Sequence, residues 1–417
     1  MTLGRPTFFV LLLAAAWTFG TGPASGAERL TAPLPILDTH AHVVRNSRGE
    51  SPVVVARQAL AIMDELGVSQ TIFLPPPYPP GHPDTYGLTV LQGICLDHPG
   101  RFAFVAGGES LNPLLQATNP DRVTPETTAR FRQEALAIVR AGAVGFGELT
   151  AEHFSLDDGG HPYESTRPDH PLLLLLADLA AEHHLPIDLH MEALPRDMPF
   201  PGPRPGRPNP LQVKENISGL ERLLAHNRGA DIIWAHCGWD LSGERTLELM
   251  SGLLRRHPNL FMSIKLDHRG RLRNGPLTAD GALKPEWLEF FRAFPERFVI
   301  GSDQFYDTGR KRITLARALV DLLPPDLAPA IAHENARRLY RRAGPASQGF
   351  SRARGDVTPG QASLHRRAVG QTAQLGLAGG EDGGGGIAQA LQDGRTLDMP
   401  FHQPFDAKDV TVGRTNQ

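Results

Sequence analysis

Short apolar runs rich in β-branched residues alternate along the chain with longer stretches whose apolar residues recur at helical spacing. The predicted strands are Ile36 to Asp38, Gln70 to Leu74, Phe102 to Ala106, Val144 to Glu148, Pro186 to His190, Asp231 to His236, Leu260 to Lys265 and Phe298 to Asp303. Predicted helices between them include Val53 to Leu66, Thr127 to Arg140, Leu172 to His184, Val213 to Leu224 and Leu247 to Arg256.

Strict alternation of strands with helices predicts the α/β class with a parallel sheet, and eight strands are the number that closes a (β/α)8 TIM barrel. An open doubly wound sheet is the competing architecture. The first strand is followed by two histidines rather than by a Gly-x-Gly-x-x-Gly turn, which favours the barrel.

The two ends of the chain differ from this pattern. Arg5, the apolar run from Phe8 to Trp17 and the small residues up to Ala27 predict a signal peptide over residues 1–27. A membrane anchor is the alternative, but the apolar run is short for a bilayer span. The barrel is expected over residues 28–345, and a low-complexity, disordered tail over residues 346–417. We therefore expect an exported protein, periplasmic or secreted, without a stable membrane anchor.

Composition narrows the choice of function. The 417 residues carry a formal net charge of -3, and the pI is about 6.6, so nothing predicts binding to nucleic acid. Only two cysteines occur, Cys95 and Cys237, so no disulfide framework supports the fold. The oligomeric state stays open, and a homo-oligomer is compatible with the sequence.

Polar residues suited to metal binding stand where predicted strands end. They are His40, His42, Glu148, His190, His236 and Asp303. In a barrel the carboxyl ends of the strands converge on one face, where active sites of this fold are built. Positions i and i+2 of a strand point the same way, so His40 and His42 can bind one ion together. Imidazole and carboxylate ligands suit zinc and its neighbours.

Each of these residues also has an ordinary structural interpretation. A single strand-end histidine is more often a satisfied polar residue than a ligand, Glu148 fits a loop carboxylate, and Asp303 fits a helix N-cap. It is the coincidence of all six at strand ends that favours a metal site. His153 and five other histidines have no convergent partner, and we expect them on helix or loop surfaces.

Four motifs, in this order, resemble the amidohydrolase superfamily, and within it the amidohydrolase-related group of metal-dependent hydrolases. They are Asp38-Thr39-His40-Ala41-His42, His190, the segment Ile-Ile-Trp-Ala-His-Cys-Gly around His236, and Ile300-Gly301-Ser302-Asp303. The segment Glu334 to Tyr340 resembles the terminal helix of that group. The resemblance runs from about Ile36 to Tyr340 and leaves the tail unexplained.

The resemblance implies a role for each residue. His40, His42 and Asp303 match the ligands of a first metal. In one-metal members His190 is a ligand and His236 faces the substrate, whereas in two-metal members both bind a second ion. Glu148 resembles the bridging glutamate of the TatD-like branch, and the carbamylated lysine that many members use is absent. One or two divalent ions per chain, with zinc as the expected metal, are both compatible, and Glu148 favours two.

The expected reaction is hydrolysis of an amide, lactone or ester bond in a small molecule. A bound metal lowers the pKa of its water towards about 7. Asp303 would then take the proton of that water and His236 would hold the carbonyl oxygen or a second metal. Lys265 and Trp239 are candidate substrate contacts. Arg204 and Arg207, in the proline-rich loop after the fifth predicted strand, are candidates for binding an anionic substrate group.

Three other functions remain open at this stage. The related decarboxylase branch shares the fold and the His-x-His start, but the loop Pro75 to Pro80 lacks the arginine expected there. Nuclease action is compatible with Glu148 but disfavoured by the near-neutral charge. A catalytically inactive binding barrel would not need all six ligands.

Overall fold

A computed structural model of the chain describes residues 33–340 except 46–48, 79–81, 83, 85, 157–161, 203–204, 207, 267–273 and 307–310. The predicted signal peptide and the predicted tail lie outside the described residues. So do Arg204 and Arg207.

The described residues form strands and helices in alternation. Strands β1 to β13 are Ile36–His42, Val68–Phe73, Phe102–Phe104, Ala106–Gly107, Phe146–His153, Glu164–Ser165, Ile187–Met191, Met198–Pro199, Gln212–Val213, Ile232–Cys237, Leu260–Ile264, Phe298–Ile300 and Gln304–Phe305. Helices α1 to α10 are Pro52–Leu66, Leu88–Asp97, Leu111–Ala117, Pro125–Arg140, Pro171–His183, Ile217–His226, Leu247–Arg256, Pro285–Ala293, Lys311–Leu322 and Asn335–Leu339. A 3-10 turn at Pro120–Arg122 and a π-helical turn at Ala330–Glu334 complete them.

The eight predicted strands are confirmed, although their bounds differ. β1 continues four residues beyond the predicted end, to His42, and β5 continues to His153. The five helices named from the sequence pattern correspond to α1, α4, α5, α6 and α7. Helices α2, α3, α8 and α9 were not among those predicted.

An 11-stranded, mostly parallel sheet organises the fold. Its strand order is β3-β2-β1-β12-β11-β10-β7-β5-β4, with β13 on β1 and β6 on β5. The two ends of this path, β3 and β4, are separated in the chain by Val105 alone. The N–H of Val105 donates to Phe73 O at 2.9 Å, and the N–H of Val144 donates to Phe104 O at 2.9 Å. The segment 102–107 therefore pairs with β2 on one side and β5 on the other.

Apolar side chains cover both faces of the sheet. Along β10, Ile233 packs into a small cluster with Leu37 and Val299, whereas Ile232 and Trp234 belong to the large cluster shared with the helices. The alternation follows from the two-residue period of a strand. Burial of both faces is typical of parallel sheets, and it leaves the strand ends for polar residues.

The cysteines and the helix lengths also bear on the predictions from the sequence. Cys95 and Cys237 form no disulfide, and Cys237 is buried. In the part of the chain that the structure describes, no helix is both long and apolar enough to cross a membrane.

Candidate metal centre

Five short segments bring the predicted ligands together. His40 and His42 lie within β1, and Glu148 is the third residue of β5. His190 lies in β7 and His236 in β10. Asp303 follows β12 by three residues. The prediction that Glu148 ends its strand was wrong, because β5 continues for five residues beyond it. His236 and Asp303 have positive φ angles of 66° and 54°, in the left-handed region that is uncommon for residues other than glycine.

The first group of ligand atoms surrounds one point. His42 Nε2 lies 3.1 Å from Asp303 Oδ1 and 3.6 Å from Glu148 Oε2. His40 Nε2 lies 3.5 Å from Glu148 Oε2 and 3.9 Å from Asp303 Oδ1. Tetrahedral zinc with bonds of about 2.1 Å separates its ligands by about 3.4 Å. The four side chains are therefore spaced as ligands of one ion would be.

Hydrogen bonds on the far side of each ring fix which nitrogen faces that point. His40 Nδ1 lies 3.2 Å from Asp188 Oδ2, and His42 Nδ1 lies 2.9 Å from Leu74 O. Both partners accept, so both Nδ1 atoms carry a proton and both Nε2 atoms are turned inward. Metal-ligating histidines are held in this way by a carboxylate or a backbone carbonyl.

Glu148 also reaches a second pair of histidines. Its Oε1 lies 2.7 Å from His190 Nδ1 and 3.2 Å from His236 Nε2. Its Oε2 faces His40 and His42. The two oxygens of one carboxylate thus face two separate pairs of imidazoles.

An unpaired atom supports the fit of a metal to these residues. His40 Nε2 is buried and makes no hydrogen bond within the described structure. Buried polar atoms are normally paired, so an atom without a partner needs an explanation. Two sets of candidate ligand atoms each lie within 4.8 Å of one another: His40, His42 and Asp303, and His40, Glu148 and His236.

Charges around the site stabilise the ionised carboxylates. Burial disfavours the charged form of Glu148, but His40 and hydrogen bonds from His190 and His236 hold its pKa well below the usual value. Burial likewise opposes ionisation of Asp303, but Arg312 and Lys265 hold its pKa well below the usual range. Both carboxylates are therefore anionic at neutral pH, the form in which they bind cations.

Lys265 and Trp239 both line the cleft in front of these ligands. Lys265 Nζ lies 2.6 Å from Asp303 Oδ2 and 4.3 Å from the centre of the Trp239 ring. Arg312, at the start of α9, reaches the same carboxylate oxygen and also lines the cleft. Sequence reasoning missed Arg312, because nothing in its position after β13 distinguishes it from the neighbouring Arg310 and Lys311.

His153 and Glu192 also line the cleft. The expectation that His153 lies on a surface was wrong, because β5 extends to it and leaves it 4% exposed. Its ring lies 4.7 Å from that of His190. Glu192 accepts the N–H of Leu241 at 3.2 Å, and burial raises its pKa to about 8. Its place two residues after His190 was a signal in the sequence, because residues two apart along an extended chain point the same way.

Comparison with known families decides the class of protein. The amidohydrolase family profile matches residues 37–342, close to three quarters of the chain. The chain belongs to the amidohydrolase family. It is therefore an enzyme, a metal-dependent hydrolase, and the clustered histidines and carboxylates are consistent with that class.

Solved structures similar to this amidohydrolase share little sequence with it. Amidohydrolase 2 from Bifidobacterium longum subsp. infantis is 13% identical, with a TM-score of 0.38 over 74% of this chain and 99% of that one. A dipeptidase, a metallopeptidase, is 13% identical, with a TM-score of 0.40 over 75% and 99%. An organophosphorus hydrolase variant from Deinococcus radiodurans is 13% identical, with a TM-score of 0.43 over 74% and 93%. No curated protein matches the chain by sequence.

Proposed function

We propose that this amidohydrolase cleaves an amide, lactone or ester bond of a small molecule, using two divalent ions. The single observation that carries the proposal is the placement of Glu148, with one oxygen towards His40 and His42 and the other towards His190 and His236. A carboxylate in this position can bridge two ions. Glu148 therefore favours two ions over one.

For the fold we propose a closed (β/α)8 barrel. The support is that residues 102–107 pair with β2 at one end of the sheet path and with β5 at the other. β3 and β4 together then count as one strand, and eight parallel strands complete the ring. The proposed ligands would all lie at the face of this barrel where its active sites are built.

The proposed first ion is held by His40, His42 and Asp303, the second by His190 and His236, with Glu148 shared. Zinc is the proposed metal, because imidazole and carboxylate form its usual ligand set. When bound, a divalent ion supplies hydroxide from water at neutral pH and polarises a carbonyl group.

Asp303 is the proposed proton acceptor. Its Oδ1 faces His42, whereas its Oδ2 faces Lys265 and Arg312 on the side of the cleft. One carboxylate can therefore contact the ligand cluster through Oδ1 and, as an anion, take a proton from the attacking water. The same carboxyl group would pass that proton to the leaving group.

The cleft suits a small molecule. Its walls include Phe154, Leu156, Trp239 and Phe305. Small-molecule sites are concave and combine apolar walls with a few polar groups. Trp239 and Lys265 are proposed substrate contacts. From the sequence of residues 1–27 alone, we also propose that the enzyme is exported.

The experiment that tests the proposed reaction compares hydrolysis with decarboxylation. The zinc-loaded full chain is incubated with a panel of lactones, esters and amides, and separately with aromatic carboxylic acids. We expect the carboxylic acid product to form from members of the first panel, in a reaction abolished by a chelator and restored by zinc. Release of carbon dioxide from the second panel, with no hydrolysis of the first, would contradict the proposal.

A further inference from the structure

We infer that Lys265 and Arg312 form an anion-binding subsite that selects substrates carrying a carboxylate group near the scissile bond. The inference rests on the proposed hydrolytic function and adds a substrate class to it. Arg204 and Arg207, the candidates from the sequence for binding an anionic group, lie outside the described residues.

The two cations converge on one edge of the cleft. Both reach Oδ2 of Asp303, and both lie beside Trp239, with Arg312 Cζ at 5.9 Å and Lys265 Nζ at 4.3 Å from the ring centre. Arg312 Cζ also lies 5.6 Å from the ring centre of Phe305. The aromatic rings hold the cations against the wall of the cleft.

Both cations keep hydrogen-bond donors in reserve. Arg312 uses Nη1 for the carboxylate and the carbonyl oxygen of Asp303, and the described structure shows no hydrogen bond from its Nε or Nη2. An ammonium group has three donors, and the ion pair with Asp303 needs one of those on Lys265. A guanidinium group presents paired N–H donors that match the two oxygens of a carboxylate. Arg312 therefore has the donors for a bidentate contact with a second carboxylate.

The charge of the cleft favours an anion once metal is bound. Its described walls carry at most three anionic carboxylates, Glu148, Glu192 and Asp303, and two cations, Lys265 and Arg312. A single divalent ion therefore makes the sum of these charges positive by at least one. A second ion makes it more positive. An anionic substrate would thus be attracted to the loaded enzyme.

The side chain of Lys265 is 7% exposed, whereas that of Arg312 is 32% exposed. An incoming carboxylate can therefore reach Arg312 from solvent, and Lys265 lies deeper, beside the reacting groups. Arg312 is accordingly the residue that should determine specificity.

The test uses two para-nitrophenyl esters with acyl chains of equal length, the neutral valerate and the anionic hydrogen glutarate. We expect Arg312→Gln to lower kcat/KM for the glutarate ester about tenfold or more relative to the valerate ester, the size expected for a lost hydrogen bond to a charged group. Arg312→Lys keeps the charge and should retain part of the preference. Arg256→Gln is the matched control, because Arg256 pairs with Glu221 on the surface, 2.7 Å away.

A second readout does not require turnover. Titration calorimetry of free glutarate into the zinc-loaded enzyme should show a Kd raised about tenfold by Arg312→Gln and unchanged by Arg256→Gln. Equal loss of kcat/KM for both esters with an unchanged glutarate Kd would overturn the inference, since Arg312 would then act only through Asp303. If neither ester is hydrolysed, ester hydrolysis fails as a function, and the glutarate Kd alone decides the inference.

Discussion

Two glutamates four residues apart on β5 are both buried, yet their surroundings are opposite. Glu148 is 2% exposed and lies among four imidazoles. Glu152 is 3% exposed and accepts hydrogen bonds from Tyr163 Oη at 2.8 Å and Ser165 Oγ at 2.7 Å. The pKa of Glu148 lies well below the usual value, whereas burial raises that of Glu152 to about 7.

The difference shows what makes a buried carboxylate functional. Hydroxyl donors satisfy the oxygens of Glu152 but do not offset the cost of burying a charge, so the neutral form is favoured. The imidazoles around Glu148 favour the anion, and they are candidate metal ligands themselves. Burial and strand position are shared, and the neighbouring residue types decide which glutamate can bind a cation.

The largest expected effect is the loss of turnover when Asp303, which follows β12 and lies beside His42, is replaced. Asp303→Asn should lower turnover by about 10²–10⁴-fold, the size of a lost general base, with metal content largely kept. Steady-state kinetics and metal analysis of the same preparations measure both. Glu152→Gln is the control, because hydroxyl groups and not imidazoles surround Glu152. It should leave turnover within about twofold of the wild type. Unchanged turnover in Asp303→Asn would remove this residue from the reaction.

Glu148→Gln tests directly whether the carboxylate among the four imidazoles binds metal. The variant keeps the shape of the side chain but loses the charge that both histidine pairs face, so one metal equivalent should be lost. Turnover should fall by at least about 10–100-fold, the loss found for residues that only support a ligand. Metal content per chain after dialysis is the measurement. Retention of the full metal content would contradict the bridging role.

Asp188→Asn tests the support behind His40. Asp188 fixes the proton on His40 Nδ1, and its loss should weaken metal binding about 10–100-fold. Activity should return when zinc is supplied in excess, because the ligands themselves are intact. A competition titration with a chromophoric chelator measures the affinity. An activity loss that excess zinc does not rescue would show that Asp188 acts on the fold instead.

The smallest effect concerns Glu152 and the pH dependence of stability. Its folded-state pKa of about 7 lies above the ordinary value of 4.5, so the folded protein binds this proton more tightly than the unfolded chain. The stabilisation is complete below about pH 4.5 and is lost as the pH rises through about 7, by about 3 kcal/mol in total. Glu152→Gln should remove this part of the pH dependence. If the melting temperatures of wild type and variant change with pH in the same way between pH 5 and 8, the raised pKa of Glu152 is refuted.

That these candidate ligands lie together was predictable, because the period of a strand and the order of the strands in the chain place them. His40 and His42 share a strand face at i and i+2, and His190, His236 and Asp303 follow the predicted strands in order. The residues that support or extend the site were less accessible. Asp188, two residues before His190, had a strand-face signal that went unused, whereas Arg312 is placed by tertiary packing alone. His153 was lost through a boundary error, since β5 extends five residues beyond its predicted end.

The central claim, that Glu148 joins two metal positions, is tested most directly by counting metal in the purified full-length enzyme. Mass-spectrometric metal analysis after zinc loading and dialysis should find two ions per chain in the wild type and in Glu152→Gln, and one in Glu148→Gln. A single ion per chain in all three proteins would contradict the account, because Glu148 would then bridge nothing.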